Sequence, residues 1–177
     1  MLQLGAADVA EGADAPEFGL RPGLSTDLTE PKPGGGNWDL SRDEDVQELE
    51  ELQEKEKPCL LTGSPPSAPF SILLRIHLKR QEAEEDFALE GRKHLRNSVA
   101  AYWRQIRGGR CFLHEHPKAA PSWKETEMVE LMEDTSVVYV EGPMCRWDVM
   151  GKVASGAGYV RQATGWITNC PEIADAL

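Results

Sequence analysis

Two short segments of this chain carry residue types from which a reactive site could be built. One is the loop Gly63-Ser-Pro-Pro-Ser67, with a serine hydroxyl behind two prolines, and the other is the run His114-Glu-His116. A serine hydroxyl becomes a useful nucleophile when an adjacent base takes its proton. Functional carboxylates often lie at strand ends beside such loops. Ser67 and Glu115 are therefore candidate site residues, and the alternative is a plain loop serine and a surface acid.

The His-x-His pair admits a second chemistry. Alternate residues of a strand point to one face, so His114 and His116 could act together. With Cys145 or Cys170 they could offer the nitrogen and sulfur ligands that zinc prefers. The spacing matches no compact zinc module, and two ordinary polar residues at a strand end are the simpler interpretation. We assign no metal.

The elements around these segments predict a βαβ unit. Apolar strands are expected at 59–63 and 110–114. Between them, one apolar stripe predicts a helix over 82–107, formed by Ala88, Leu95, Val99, Tyr102 and Ile106. Strands joined through a helix should be adjacent and parallel, with a right-handed crossover. Ligands of open parallel sheets bind beyond the carboxyl ends of the strands, where the loops 63–71 and 115–117 are expected.

The rest of the chain completes the expected architecture. Ser41-Arg-Asp-Glu44 has the pattern of a capping box that opens a helix running to about residue 55. A further helix is expected at 123–133, a strand at 136–141, and a further strand or hairpin arm at 159–168. Together these elements predict an α/β fold with a Rossmann-like partial parallel sheet of four or five strands. Residues 1–36 are rich in Ala, Gly, Pro and Asp and predict a disordered tail or linker, which leaves 37–177 as the α/β domain.

The net charge and the cysteine content limit the classes of partner and the compartment that the sequence predicts. The net charge of -11 disfavours binding to a phosphate backbone, although a basic helix face could still contact nucleic acid through Arg92, Lys93, Arg96 and Arg104. The alternative for that face is simple solvation. The four cysteines lie far apart, which favours reduced thiols and an intracellular protein, nuclear or cytoplasmic. No apolar run reaches the length of a membrane span.

The loop 63–71 resembles the Gly-x-Pro-Pro-Cys-x-x-Phe-Ser signature of cytosine-C5 DNA methyltransferases. The resemblance places Ser67 at the nucleophilic cysteine, and it places the remaining loop residues around the substrate, namely Ser64, Pro65, Pro66 and Ser71. The run 112–117 is similar to the family's strand that ends in Glu-Asn-Val or Glu-Asn-Pro. Glu115 then corresponds to the glutamate that holds the N3 edge of cytosine, and His116 replaces the asparagine. Asp39 resembles the acid that contacts the adenosine of S-adenosylmethionine.

Departures from the family pattern decide the functional expectation. Attack at C6 needs a thiolate, and Ser67 is a poor substitute. The Gly-rich cofactor loop that opens the family's fold is not found, so the fold is incomplete at its N-terminal half. No cofactor is expected, and S-adenosylmethionine is expected only if missing sequence completes the fold. The segment Thr164-Gly-Trp-Ile-Thr-Asn169 is similar to methyltransferase-like sequences of copia-type retrotransposon polyproteins.

Three hypotheses follow. The first is a degenerate, non-catalytic DNA methyltransferase-like domain of a mobile-element-derived polyprotein. The second is a fragment of an active cytosine-5 methyltransferase or another nucleotide-modifying enzyme whose missing parts lie outside this chain. The third is a protein-interaction module that uses the acidic helix at 43–56.

Overall fold

A parallel strand pair joined by one long helix forms the centre of the fold. The computed structural model describes residues 2–5, 23, 25–26, 31–32, 35–66, 81–147, 150–153 and 156–177, so Ser67 and Ser71 lie outside the described residues. Strand β3 (Leu60–Gly63) pairs in parallel with β4 (Cys111–Pro117), in register from Leu60↔Cys111 to Gly63↔His114. Helix α2 (Gln81–Arg107) lies between them in the chain. The predicted adjacent, parallel pair is confirmed.

Helix α1 (Asp43–Glu56) begins differently from the prediction. The N-cap is Arg42, and no side chain caps the helix, so the capping box at Ser41 is wrong. Instead, the Asp39 carboxylate accepts a hydrogen bond from the Ser41 amide at 2.9 Å, which forms a local turn. Asp45, in the first helical turn, accepts the Asp39 amide at 2.6 Å. At the other end, Lys57 adopts a left-handed conformation and donates its amide to Gln53.

The C-terminal half supplies the remaining elements. A 3₁₀ turn (Pro121–Lys124) and α3 (Thr126–Met132) replace the single helix predicted at 123–133. Strand β5 (Val138–Pro143) starts two residues later than predicted, because Val137 and Ser136 are held in a turn by Asp134. The strand or hairpin arm predicted at 159–168 is a strand only from residue 163, and Tyr159 ends the preceding strand. The further elements are the turn Met144–Trp147, β6 (Met150–Val153), β7 (Gly156–Tyr159), β8 (Ala163–Thr168) and α4 (Pro171–Ala176).

The sheet is mixed rather than parallel, which corrects the predicted partial parallel sheet. Strands β1 (Leu2–Gly5) and β2 (Ser25–Thr26) join it, and the strand order is β2-β1-β3-β4-β8-β5, with β6 and β7 forming a separate hairpin. Strand β8 is antiparallel to both β4 and β5, so β5 runs in the same direction as β3 and β4. Strand β1 is antiparallel to β3. The two strands β1 and β2 belong to the predicted tail 1–36, whose other residues lie largely outside the described part.

Strand β4 is also longer than predicted. We expected a strand at 110–114 followed by a loop, but Glu115, His116 and Pro117 continue the strand. Strand β8 pairs with them as Glu115↔Trp166, His116↔Gly165 and Pro117↔Thr164. Strand β3 ends at Gly63, so these three residues of β4 are paired only with β8, on the other side of β4.

The core lies between the sheet and helices α1, α2 and α3. Alternate residues of β4, namely Phe112, His114 and His116, are buried, and the intervening ones are half-buried. The Tyr102 ring of α2 stacks on Phe112 with centroids 4.8 Å apart. The predicted stripe of α2 faces this core, with Leu95, Val99 and Tyr102 fully buried. Within the described residues, no helix combines the length and apolar character needed to cross a bilayer.

Candidate functional site

At the carboxyl ends of β3 and β4, Glu115 meets the segment that follows β3 and begins Ser64-Pro65-Pro66, here called the proline loop. The last parallel pair is Gly63↔His114, so the chain leaves β3 at Ser64, directly beside Glu115. The Ser64 hydroxyl donates to Glu115 Oε2 at 2.9 Å. The glutamate is half-buried and the serine is exposed. The structure thus brings together one residue of the predicted substrate loop and the predicted base-contact residue.

A second hydroxyl contacts the same carboxylate from the other side. Thr164 lies on β8 opposite Pro117 and is completely buried. Its Oγ1 contacts Glu115 Oε1 and also lies 2.8 Å from the carbonyl oxygen of His116. One hydroxyl proton serves one acceptor at a time, so Thr164 alternates between these two oxygens or favours one. Each oxygen of the Glu115 carboxylate therefore has a hydroxyl of the same chain against it.

His116 fastens the proline loop to β4. Its Nε2 lies 2.6 Å from the carbonyl oxygen of Pro65, and its Nδ1 lies 2.6 Å from Ser122 Oγ. A carbonyl only accepts, so we assign the ring proton to Nε2 and leave Nδ1 to accept from Ser122. Burial lowers the pKa of His116 in spite of the Pro65 carbonyl and the Glu115 charge, which favour the protonated ring. Both ring nitrogens of the neutral imidazole are engaged.

His114 is a core residue. Its Nδ1 lies 3.0 Å from the Tyr102 hydroxyl, and its ring packs edge-on against Trp123 at 5.3 Å. Complete burial holds the pKa of His114 well below its ordinary value, and neighbouring His116 lowers it further. Its Nε2 is buried and has no hydrogen-bond partner among the described groups. A neutral ring is the form that this apolar setting favours.

The two histidines do not form a metal site with the cysteines considered above. His116 uses both ring nitrogens for contacts within the chain. Over the described ranges, no group of three or more His, Cys, Asp or Glu is placed to hold a metal ion.

Asp39, the predicted cofactor contact, is part of a junction between α1 and α2. Its Oδ1 accepts from the Ser41 amide and lies 3.1 Å from His94 Nε2. Burial favours a raised pKa for Asp39, but the Ser41 hydrogen bonds and His94 outweigh it, and the pKa is lowered. Burial lowers the pKa of His94 despite the Asp39 charge. The pair is best described as a carboxylate that accepts from a neutral imidazole.

Three of the four cations on the basic face of α2 are paired with acids. Arg96 Nε lies 2.7 Å from Glu127, and Arg92 Nε lies 3.5 Å from Glu125, which ties α2 to the start of α3. Arg104 reaches Glu50 of α1 at 2.7 Å. Lys93 is exposed. A phosphate that approaches this face must compete with carboxylates for the three arginines.

No family model, curated protein or solved structure matches the chain. The interpretation of the site therefore rests on the geometry around Glu115 and on the motif resemblance.

Thr164 and Ser122 are the site residues that sequence reasoning missed. Thr164 belongs to the segment 164–169, and nothing in the sequence of that segment indicates that it lies beside β4. Its contact with Glu115 arises because β8 returns antiparallel to β4, across 46 residues of intervening chain between Pro117 and Thr164. Ser122 follows Pro121 in the 3₁₀ turn. The available signal was the helix predicted to start at residue 123, which placed a helical turn close to Ser122.

Proposed function

We propose that this chain is a non-catalytic, methyltransferase-like domain. In it Glu115, the residue at the base-contact position, instead joins the proline loop to β4 and β8. The observation that carries the proposal is that both oxygens of the Glu115 carboxylate are contacted by hydroxyls of the chain itself, from Ser64 and Thr164. In the family that the motifs resemble, this glutamate is kept for the substrate base. Here a base must displace one or both hydroxyls to reach the carboxylate.

The strand directions support the methyltransferase-like part of this proposal. Strands β3, β4 and β5 share one direction, with β8 reversed between β4 and β5. Doubly wound folds commonly carry an antiparallel strand in an otherwise parallel sheet. The Ser64–Glu115 contact lies at the carboxyl ends of the parallel pair, where such folds bind their ligands. This supports a sheet of the Rossmann-like kind that has lost its binding role.

The surroundings of the proline loop support the absence of catalysis. A serine nucleophile at position 67 needs a base to take its proton. The His116 imidazole is hydrogen-bonded to this loop, because it donates to the Pro65 carbonyl. Its other nitrogen accepts from Ser122, so neither nitrogen is available as that base. Asp39, the predicted cofactor contact, is also engaged within the fold, because its carboxylate contacts the Ser41 amide and the His94 ring.

An active enzyme fragment is the second candidate, and the same contact gives it some support. Hydroxyls that hold a carboxylate in one orientation can also preorganise it for a ligand. The acidic interaction module has less support, because acids of α1 are used within the fold. Asp45 and Glu48 pair with Lys32, and Glu50 pairs with Arg104.

Methyl-transfer assays separate these candidates. We expect no transfer from labelled S-adenosylmethionine to cytosine-containing DNA, either by the unmodified chain or by Ser67→Cys, and no micromolar binding of the cofactor by calorimetry. Ser67→Cys supplies the missing thiol with almost no change of volume, so it is the most permissive variant. Transfer above background by either protein overturns the proposal. The origin in a mobile element is tested by the genomic neighbourhood, where integrase or reverse-transcriptase sequence is expected.

A further inference from the structure

Three cysteines gather at the amino-terminal end of β4, at the opposite end of the strand from Glu115. Cys59 precedes β3, Cys111 opens β4, and Cys170 follows β8. The Cys111 amide donates to the Cys59 carbonyl at 2.9 Å. All four cysteines of the chain are reduced in the structure.

Extending the strand register beyond the last pair places Cys111 opposite Cys170. The antiparallel pairs of β4 and β8 end at Leu113↔Thr168, and continuing that register by two residues brings Cys111 against Cys170. The Asn169 side chain maintains the approach beyond the ladder, since it accepts from the Phe112 amide at 2.8 Å and donates to the Arg110 carbonyl at 2.9 Å. Opposed residues in antiparallel strands have Cα atoms about 4.5 to 5.5 Å apart, within the range that a disulfide spans.

The electrostatic surroundings of the two thiols decide which of them reacts first. Burial, followed by a hydrogen bond with the Cys170 thiol, raises the pKa of Cys111 to about 11, and the nearby Glu172 and Cys59 act in the same direction. The Cys170 sulfur lies 3.2 Å from Glu172 Oε2. The raised pKa disfavours the Cys111 thiolate, so we assign the first attack on an external reagent to Cys170.

We propose that Cys111 and Cys170 are a redox modification site that takes small-molecule disulfides, such as oxidised glutathione, and closes into a cross-strand disulfide. The Cys170 thiolate attacks one sulfur of the oxidised glutathione, and a first glutathione leaves. The Cys111 thiol then gives up its proton and attacks the Cys170 sulfur of the mixed disulfide, and the second glutathione leaves. Two protein thiols are oxidised, one glutathione disulfide is reduced to two thiols, and the two protons move to the departing glutathione thiolates.

Such a bond constrains the C-terminal half of the fold. It links the start of β4 to the residue that precedes α4, and so it closes a loop that contains α3 and strands β5 to β8. Cross-links of this kind stabilise chiefly by restricting the unfolded chain. The Ser64–Glu115 contact lies at the other end of β4 and is left unchanged.

Disulfide mapping on the full chain tests the proposal. The protein is equilibrated with oxidised glutathione, remaining thiols are alkylated, and non-reduced peptides are identified by mass spectrometry. We expect a Cys111–Cys170 linkage in the unmodified chain and in the controls Cys59→Ser and Cys145→Ser. The linkage should be lost in Cys170→Ser, which changes a half-buried residue outside the strands and leaves the Cys111 thiol in place. Oxidation should raise the melting temperature by on the order of 5 to 15 °C.

Other patterns of reaction overturn it. A linkage of Cys111 to Cys59, glutathione adducts without an internal bond, or an unreacted Cys111–Cys170 pair each shows that the two thiols are not a redox pair. Loss of the linkage in Cys145→Ser has the same meaning.

Discussion

The Nε2 atom of His116 lies 2.6 Å from the carbonyl oxygen of Pro65, so a strand residue of β4 holds the loop that leaves β3. His116 is buried, and Ser122 occupies its other nitrogen. The contact joins the two segments that carry the methyltransferase resemblance. It gives them a shared structural role that is independent of any reaction.

Replacing His116 should therefore destabilise the fold. His116→Leu leaves the Pro65 carbonyl and the Ser122 hydroxyl without their partner, and we expect a loss of about 2 to 4 kcal/mol in the free energy of unfolding. His116→Gln places an amide nitrogen near the position of Nε2 and should lose less. Urea denaturation of the three proteins measures this. Equal losses for Leu and Gln would contradict the assignment of Nε2 as a donor to Pro65.

The buried histidines predict how stability depends on pH. Burial lowers the pKa of His114 and His116, so below the ordinary histidine pKa of about 6.5 the unfolded chain binds more protons than the folded one. The stabilisation from the two neutral histidines is fully present above a pH of about 6.5. It is lost as the pH falls from there through the lowered pKa values of the folded chain. His114→Phe should reduce the slope of unfolding free energy between about pH 6.5 and 5. An unchanged slope would show that His114 is not held neutral by the fold.

The buried hydroxyl of Thr164 should contribute measurably to stability. Thr164→Val keeps the shape but removes the contacts with Glu115 and the His116 carbonyl, so we expect a loss of about 1 to 3 kcal/mol. Thr164→Ser retains the hydroxyl and serves as the matched control. Thermal unfolding of both variants tests this, and a Val variant as stable as the Ser variant would argue against the hydroxyl contacts.

Binding of DNA by the basic face of α2 should be weak. Arg92 and Arg96 pair with Glu125 and Glu127, and the chain is strongly acidic. We expect a dissociation constant for duplex DNA no tighter than the range of about 10⁻⁴ to 10⁻⁶ M that is typical of non-specific binding at physiological salt. Fluorescence anisotropy measures it. Tighter binding that disappears in Lys93→Ala with Arg96→Ala would establish this face as a nucleic-acid interface.

The local periodic elements could be read from the sequence, and the long-range pairings could not. The stripe Leu95, Val99, Tyr102 predicts α2 because helical spacing is a local property. The parallel pairing of β3 with β4 followed from the helix between them. The position of β8 beside β4 depends on contacts across many residues, and it turned Glu115–Pro117 from an expected loop into strand. That same pairing brings Thr164 to Glu115.

The capping box predicted at Ser41 does not form, and the cause is local. Ser41 and Glu44 have the spacing of that motif, but Asp39 competes for the Ser41 amide and Asp45 accepts the Asp39 amide. Several nearby acids can satisfy the same few amides, and the sequence pattern does not rank them. The helix therefore begins at Asp43 without a side-chain cap.

A double-mutant cycle on Ser64 and Glu115 measures whether Glu115 is bound within the fold or is held ready for a base. The free energy of unfolding is measured for the unmodified chain, Ser64→Ala, Glu115→Gln and the double variant. Because of the 2.9 Å contact, the two single variants should lose unfolding free energy whose sum exceeds the loss of the double variant by about 0.5 to 1.5 kcal/mol. Additive losses, with Glu115→Gln as stable as the unmodified chain, would contradict the structural role and leave the carboxylate available to a ligand.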